Sequence, residues 1–210
     1  MSTNRLKDFV SNEFDLRIFG LEEGARVALL LPNGPELAVA IVSVISKWCA
    51  APINPTNTKE EIKAELVSTR ARAIIILAGA AMNDAALHAA ESLGIGVLVL
   101  NVTGSITGLF RISSLRPVTP SAVFDQNPKR VAETVKGFTC FDHPETVLLL
   151  HTSGTSGNKK LVPYSLDMII AGVGCIISSW NLSSDDVCLN MMPLFHIGTD
   201  FLLELHNSAL

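Results

Sequence analysis

Charge is scarce in this sequence. Of 210 residues only 17% are Asp, Glu, Lys or Arg, and neither sign dominates: 16 basic against 20 acidic residues leave −4. The composition excludes a disordered chain, which stays unfolded because it is polar and charged. With no basic excess there is no general polyanion-binding surface. Nucleic acid is therefore not an expected partner, and any anion site must be local. Cysteine is sparse as well. Cys49, Cys140, Cys175 and Cys188 form no Cys-x-x-Cys pair. They read as reduced, mostly buried thiols of an intracellular protein. His88, His143, His151, His196 and His206 form no HxxxH or HExxH pattern, so no protein-held metal is expected.

Long hydrophobic runs are also missing, although 48% of residues are hydrophobic. A membrane span needs about 20 predominantly apolar residues. The run from Leu37 is broken by Lys47. The run from Met168 to Leu182 is shorter than a span and contains Ser178, Ser179 and Asn181. No membrane span is expected. The N-terminus, MSTNRLKDFVSNEFDLR, has no apolar h-region and does not read as a secretory signal. High hydropathy without a span implies elements buried on several sides. It also implies surface made to pack against something further.

What is present is an alternation of helix and strand signals. Asn4 to about Phe14 reads as a helix. Arg26–Leu31 is a strand-length apolar run closed by Pro32-Asn33-Gly34. Glu36 to about Ala50 is apolar nearly all round and reads as a buried helix. Ala51–Ile53 is a short strand. Thr58 and Glu61 form a capping box for a helix to about Thr69. Ala73–Leu77 is a strand. Ala80–Leu93 is a helix closed by Gly94, and Val97–Leu100 is another strand. Short, wholly apolar strands separated by helices predict an α/β fold with a mostly parallel sheet flanked by helices. The rhythm then breaks. Gly104, Gly108, Pro117, Pro120 and Pro128 mark residues 101–145 as a connection, with one short helix around Pro128–Lys136. Val147–His151 resumes as a strand, 152–160 is a loop, and Ser165 caps a helix to about Ser179. Val187–Met191 is a last strand. The expected organisation is a first βα subdomain over 1–100, the connection, and the start of a second subdomain over 146–210.

The chemistry lies in Thr152-Ser153-Gly154-Thr155-Ser156-Gly157-Asn158-Lys159-Lys160, directly after a buried strand. Glycine lets backbone N–H groups converge on an anion. Hydroxyls add donors, and lysine adds a mobile charge for phosphate oxygens. The combination suits a polyphosphate, although exposed Ser/Gly turns share the composition. It is not a Walker A loop, because GxxxxGK[ST] would need glycine where Lys159 stands.

HTSGTSGNKKLVPYS (151–165) resembles the phosphate-binding signature of the adenylate-forming superfamily, Thr-Ser-Gly-Thr-Thr-Gly-x-Pro-Lys-Gly-Val. Two further segments match in the family's order. Residues 25–76 look like its N-terminal region, and MMPLFHIG (191–198) looks like its Met-Pro-Leu-Phe-His motif. The resemblance favours acyl-CoA ligases over peptide-synthetase modules. It implies an incomplete N-terminal domain of the adenylate-forming fold, and AMP-forming ligase chemistry. A carboxylate attacks the α-phosphate of Mg2+-ATP to give an acyl-adenylate, and coenzyme A then takes the acyl group. By the same resemblance Thr152, Ser153, Gly154, Thr155, Ser156, Gly157 and Lys160 would hold the β- and γ-phosphates. His196 would stand near the reacting carboxylate, where without its flanking motif it would read as an ordinary core or loop histidine.

The sequence also departs from the pattern. Lys159 replaces the usual proline, so φ is no longer fixed there, and it adds a cation. Leu161 replaces the usual glycine. After Gly198 the family pattern fades. The adenine-stacking aromatic-Gly-x-Thr-Glu motif, the ribose-binding Asp and the catalytic Lys of the small C-terminal domain have no counterpart. The expectation is an incomplete, inactive fragment truncated after about residue 198, clipped at its start as well. The alternative is a non-catalytic nucleotide-binding or protein-interaction module built on the same sheet. An intracellular location is expected, with cytoplasm and peroxisome not separated.

Overall fold

The computed structural model describes residues 1–104, 106–119, 145–152, 159–183, 185–187 and 192–195. Its centre is one seven-stranded sheet in the order β5-β4-β3-β1-β2-β6-β7. The strands are β1 (Arg26–Leu30), β2 (Cys49–Pro52), β3 (Ala73–Leu77), β4 (Gly96–Val102), β5 (Phe110–Arg116), β6 (Thr146–Thr152) and β7 (Lys160–Ser165). The five central strands run parallel, and β5 and β7 close the two edges antiparallel. The helices are α1 (Thr3–Asp8), α2 (Pro35–Ile45), α3 (Lys59–Thr69), α4 (Asn83–Leu93) and α5 (Leu166–Trp180).

Successive strand residues point to opposite faces, and here both faces are apolar. Val27, Leu29, Ile75, Leu98, Leu148 and Leu150 meet α1, α2 and α5 on one face, with Ile169 and Val173 as the buried residues of α5. Ala28, Leu30, Ile74, Ile76 and Val97 meet Ile62 and Leu66 of α3 and Ala86, Ala89 and Ala90 of α4 on the other. A parallel sheet covered on both sides explains why its strands lack an apolar–polar alternation.

Several local signals appear as expected. Thr58 caps α3, with the Glu61 side chain reaching back to the Thr58 N–H at 2.8 Å. Gly94 ends α4 at φ 63°, and Ser165 accepts from the Met168 N–H at the start of α5. Other boundaries move. The first helix stops at Asp8 and opens into a wider, π-type turn over Phe9–Glu13, with the Phe14 N–H on the Phe9 carbonyl. The i→i+5 geometry brings two residues five apart toward one face, and Phe9 and Phe14 are both buried, with ring centroids 6.1 Å apart.

Helix α2 ends at Ile45 rather than near Ala50. The Lys47 and Trp48 amides both turn back to the Val44 carbonyl. Trp48 buries its indole and donates to the Leu21 carbonyl at 3.4 Å, so β2 begins at Cys49. Helix α4 starts at Asn83, not Ala80, with the Asn83 side-chain amide on the Leu77 carbonyl.

Two strands were not expected: β5, inside the stretch read as a connection, and β7, read partly as loop. The expected helix at 128–136 lies outside the described residues, as does the expected strand at 187–191 beyond Val187. Cys49 is buried, but Cys175 is exposed on α5; neither is in a disulfide among the described residues, and Cys140 and Cys188 lie outside them. Among the described residues no helix is long and apolar enough to cross a membrane.

Candidate functional site

In a parallel α/β sheet, ligands bind beyond the carboxyl ends of the strands. Pro32-Asn33-Gly34 after β1 and Asn54–Asn57 after β2 lie there, as do Thr152 and Lys160, the described ends of the phosphate segment. These two ends pair in the β6–β7 ladder. The Thr152 hydroxyl accepts from the Lys160 N–H at 3.3 Å and donates to the Lys160 carbonyl at 3.5 Å. The Lys160 side chain is exposed at this edge. The Met-Pro-Leu-Phe segment returns to the same edge. The Leu194 N–H donates to the Asn33 side-chain oxygen at 2.9 Å, and Leu194 is buried. The structure thus places Thr152 and Lys160 side by side. Ser153, Gly154, Thr155, Ser156, Gly157 and His196 lie outside the described residues.

Beside Thr152 lies a polar cluster that sequence reasoning did not single out. Strand alternation sends Leu148 and Leu150 to the α2 face and turns His151, like Leu149, toward α3. There His151 Nε2 lies 2.9 Å from Ser68 Oγ. His151 Nδ1 is 3.7 Å from Glu65 Oε2 and has no hydrogen-bond partner. Glu65 is 7% exposed, on the inward face of α3 one turn after Ile62. Its Oε1 accepts from the Asn57 side-chain amide at 3.0 Å and from Lys159 Nζ at 2.5 Å.

Burial pushes the Glu65 carboxyl upward, against the opposing pull of Lys159. Burial, and then the Lys159 charge, push His151 down to about 4. His151 is therefore neutral near pH 7, and its approach to Glu65 is not an ion pair. The Ser68 hydroxyl also lies 2.9 Å from the Glu65 carbonyl. Its one proton serves either that carbonyl or the His151 ring, which sets the tautomer. The sequence signal for this cluster was a charged residue on the apolar face of α3, matched by a lysine where the loop would otherwise carry proline.

Among the described residues no group of three or more His, Cys, Asp or Glu side chains is placed to hold a metal ion. The site's described cations are Lys159, already bonded to Glu65, and Lys160.

Comparison with known proteins gives this edge a context. The family model "AMP-binding enzyme" matches residues 15–205. The chain is 31% identical over 195 residues to the Humulus lupulus protein "Probable CoA ligase CCL9", covering 92% of this chain and 34% of that protein. It is 29% identical over 196 residues to the acyl-CoA synthetase FUM10 of Gibberella moniliformis, covering 89% of this chain and 34% of that protein. The oxalate–CoA ligase of Arabidopsis thaliana is 28% identical over 180 residues, covering 85% of this chain and 32% of that ligase. The chain thus spans about a third of the length of these curated relatives. ATP-bound MatB from Rhodopseudomonas palustris superposes with a TM-score of 0.69 at 20% identity, over 99% of this chain and 37% of that one. At that identity the likeness speaks to the fold, that of the N-terminal domain of adenylate-forming enzymes. The sheet, the three matched segments and the match over 15–205 agree: the chain belongs to the AMP-binding enzyme family, within the adenylate-forming superfamily.

Proposed function

We propose that this chain is the polyphosphate-binding part of an AMP-forming acyl-CoA ligase. The whole enzyme would activate a carboxylate with ATP to an acyl-adenylate and transfer the acyl group to coenzyme A. The observation that carries the reading is convergence. Asn33, Thr152, Lys160 and Leu194 belong to the three segments that bear the family resemblance, and they meet at one carboxyl edge of the sheet.

At that edge the exposed Lys160 ammonium and the Thr152 hydroxyl suit the oxygens of a leaving pyrophosphate, with Ser153, Gly154, Thr155, Ser156 and Gly157 supplying further donors. Fixed donors aimed at developing charge lower the barrier without reorganising during the reaction. Magnesium brought in with ATP would share that charge. Among the described residues no carboxylate cluster is placed to hold it. By the family resemblance His196 would stand near the reacting carboxylate. The carboxylate itself is not specified by these residues.

Thermal unfolding with and without Mg-ATP tests the reading. A ligand that binds only the native state at about 100 times its Kd adds about 2.7 kcal/mol of stability. The expected result is a raised Tm that Lys160→Ala abolishes. A cooperative transition indifferent to Mg-ATP would refute phosphate binding. No carboxylate-dependent ATP–pyrophosphate exchange is expected from this chain alone. Robust exchange, lost on Lys160→Ala, would show instead that these residues suffice for the activation step.

A further inference from the structure

Lys159 does not reach into solvent toward an incoming anion. Its ammonium is committed to Glu65, an acid on the core-facing side of α3, 94 residues away in sequence. The pair is lopsided. The Lys159 side chain is 41% exposed, whereas Glu65 is 7% exposed. A carboxylate this deep needs a partner, because an uncompensated buried charge is costly. Glu65 has Asn57 at 3.0 Å and Lys159, and both bond the same oxygen. The next residue, Lys160, opens β7 and is held by its N–H on Thr152. Nothing but one peptide bond separates the anchored side chain from the strand end that carries the phosphate-facing lysine.

We propose that Lys159 and Glu65 are a positioning pair, which ties the C-terminal end of the phosphate segment to α3 and so holds Lys160 and Thr152 in register for a polyphosphate. The inference rests on the ATP reading above for its ligand, but the tie is a property of the fold and is measurable without one. Lys159 then acts through Glu65, not as a phosphate ligand. The two roles predict opposite behaviour for the acid. If Lys159 bound phosphate directly, removing the Glu65 charge would free it and tighten binding. If it positions, removing either partner loosens the same strand end.

The test uses the full 210-residue chain, with Mg-ATP affinity measured by calorimetry well below the melting temperature. Hydrogen exchange is followed in peptides spanning 159–165. Glu65→Gln keeps the side-chain shape and an acceptor for Asn57. Lys159→Met removes the ammonium from a partly exposed side chain, so if one variant fails to fold the other carries the comparison. The expected result is binding weakened about tenfold by each, with the double variant no worse than either single one, the behaviour of residues that act as a unit. Lys159→Arg restores binding, and exchange over 159–165 quickens in the same variants that bind poorly. Unchanged or tighter binding in Glu65→Gln alongside weak binding in Lys159→Met would overturn the proposal in favour of a direct contact. Wild-type affinity in both would overturn it too. If the unsubstituted chain binds no Mg-ATP, the functional reading fails. Exchange then decides the pair alone: faster over 159–165 in both variants supports it, unchanged refutes it.

Discussion

Acidification should cost this protein stability through one histidine. His151 is buried, its side chain 8% exposed, and its pKa is pushed from 6.5 down to about 4 by burial first and the Lys159 charge second. In the unfolded chain the ring protonates near its ordinary value; in the fold it resists. As pH falls from 6.5 toward 4, the unfolded state therefore takes up the proton first. The stability due to this group is present above the upper value and is lost through that window. Two and a half pH units at about 1.36 kcal/mol each give about 3 kcal/mol, of which about 2.5 is gone by about pH 4.5. Glu65 titrates nearby with the opposite sign. Its raised pKa makes the folded state the better proton binder above the carboxylate's ordinary range, so stability falls there as pH rises.

The variant His151→Gln separates the two, since it leaves Glu65 and Lys159 in place and can still donate to Ser68. The assay is urea unfolding at about pH 7.5 and pH 4.5, followed by Trp48, which is 1% exposed and will report loss of the core. The wild type should lose about 2.5 kcal/mol more than His151→Gln between the two conditions. Parallel losses would refute the reasoning, because they would mean that His151 titrates as it does in water and that its surroundings are wet.

Two other substitutions probe the fold. A Cβ on Gly96 would meet Val118 Cγ2 at 2.6 Å and Val118 Cα at 2.9 Å, so Gly96→Ala must push the chain beyond β5 away from the sheet; a loss of about 1–3 kcal/mol in urea unfolding is expected. Met168 and Ile170 are 54% and 56% exposed on α5, on either side of the buried Ile169; Met168→Lys with Ile170→Lys should leave the urea midpoint nearly unchanged and reduce dye binding or self-association measured by light scattering.

The central strands were legible because burial on both faces leaves a plain chemical mark. Val27–Leu31, Ala73–Leu77 and Val147–Leu150 are apolar throughout. Helix α3 was legible at its start because Thr58 and Glu61 satisfy each other's backbone N–H groups whatever lies around them. The edge strands hid for the opposite reason. In β5, FRISSLR, only Phe110 is buried, and its partners come from β4 rather than from any local pattern. In β7, Pro163 argues against a strand, yet an edge position tolerates a residue without an N–H donor.

The candidate site divided in the same way. The hydroxyl-glycine-lysine segment could be read directly, and Thr152 and Lys160 were read from it. Glu65 and His151 could not be assigned roles from sequence, because their meaning is the 94- and 83-residue separations that the fold closes to Lys159 and Ser68.

The sheet joins its two halves narrowly. β6 meets β2 in parallel at Ala50 and Leu148, whereas it meets β7 along six register positions. The β6–β7 hairpin can form early from neighbouring residues, but docking it on β2 must close a long stretch of chain for little ladder in return. That docking is expected to come late in folding and to reverse early in unfolding. Contacts absent from the transition state act on the escape rate. A polyphosphate held at the end of β6 would therefore show itself kinetically, as a slower unfolding limb with the refolding limb left almost where it was.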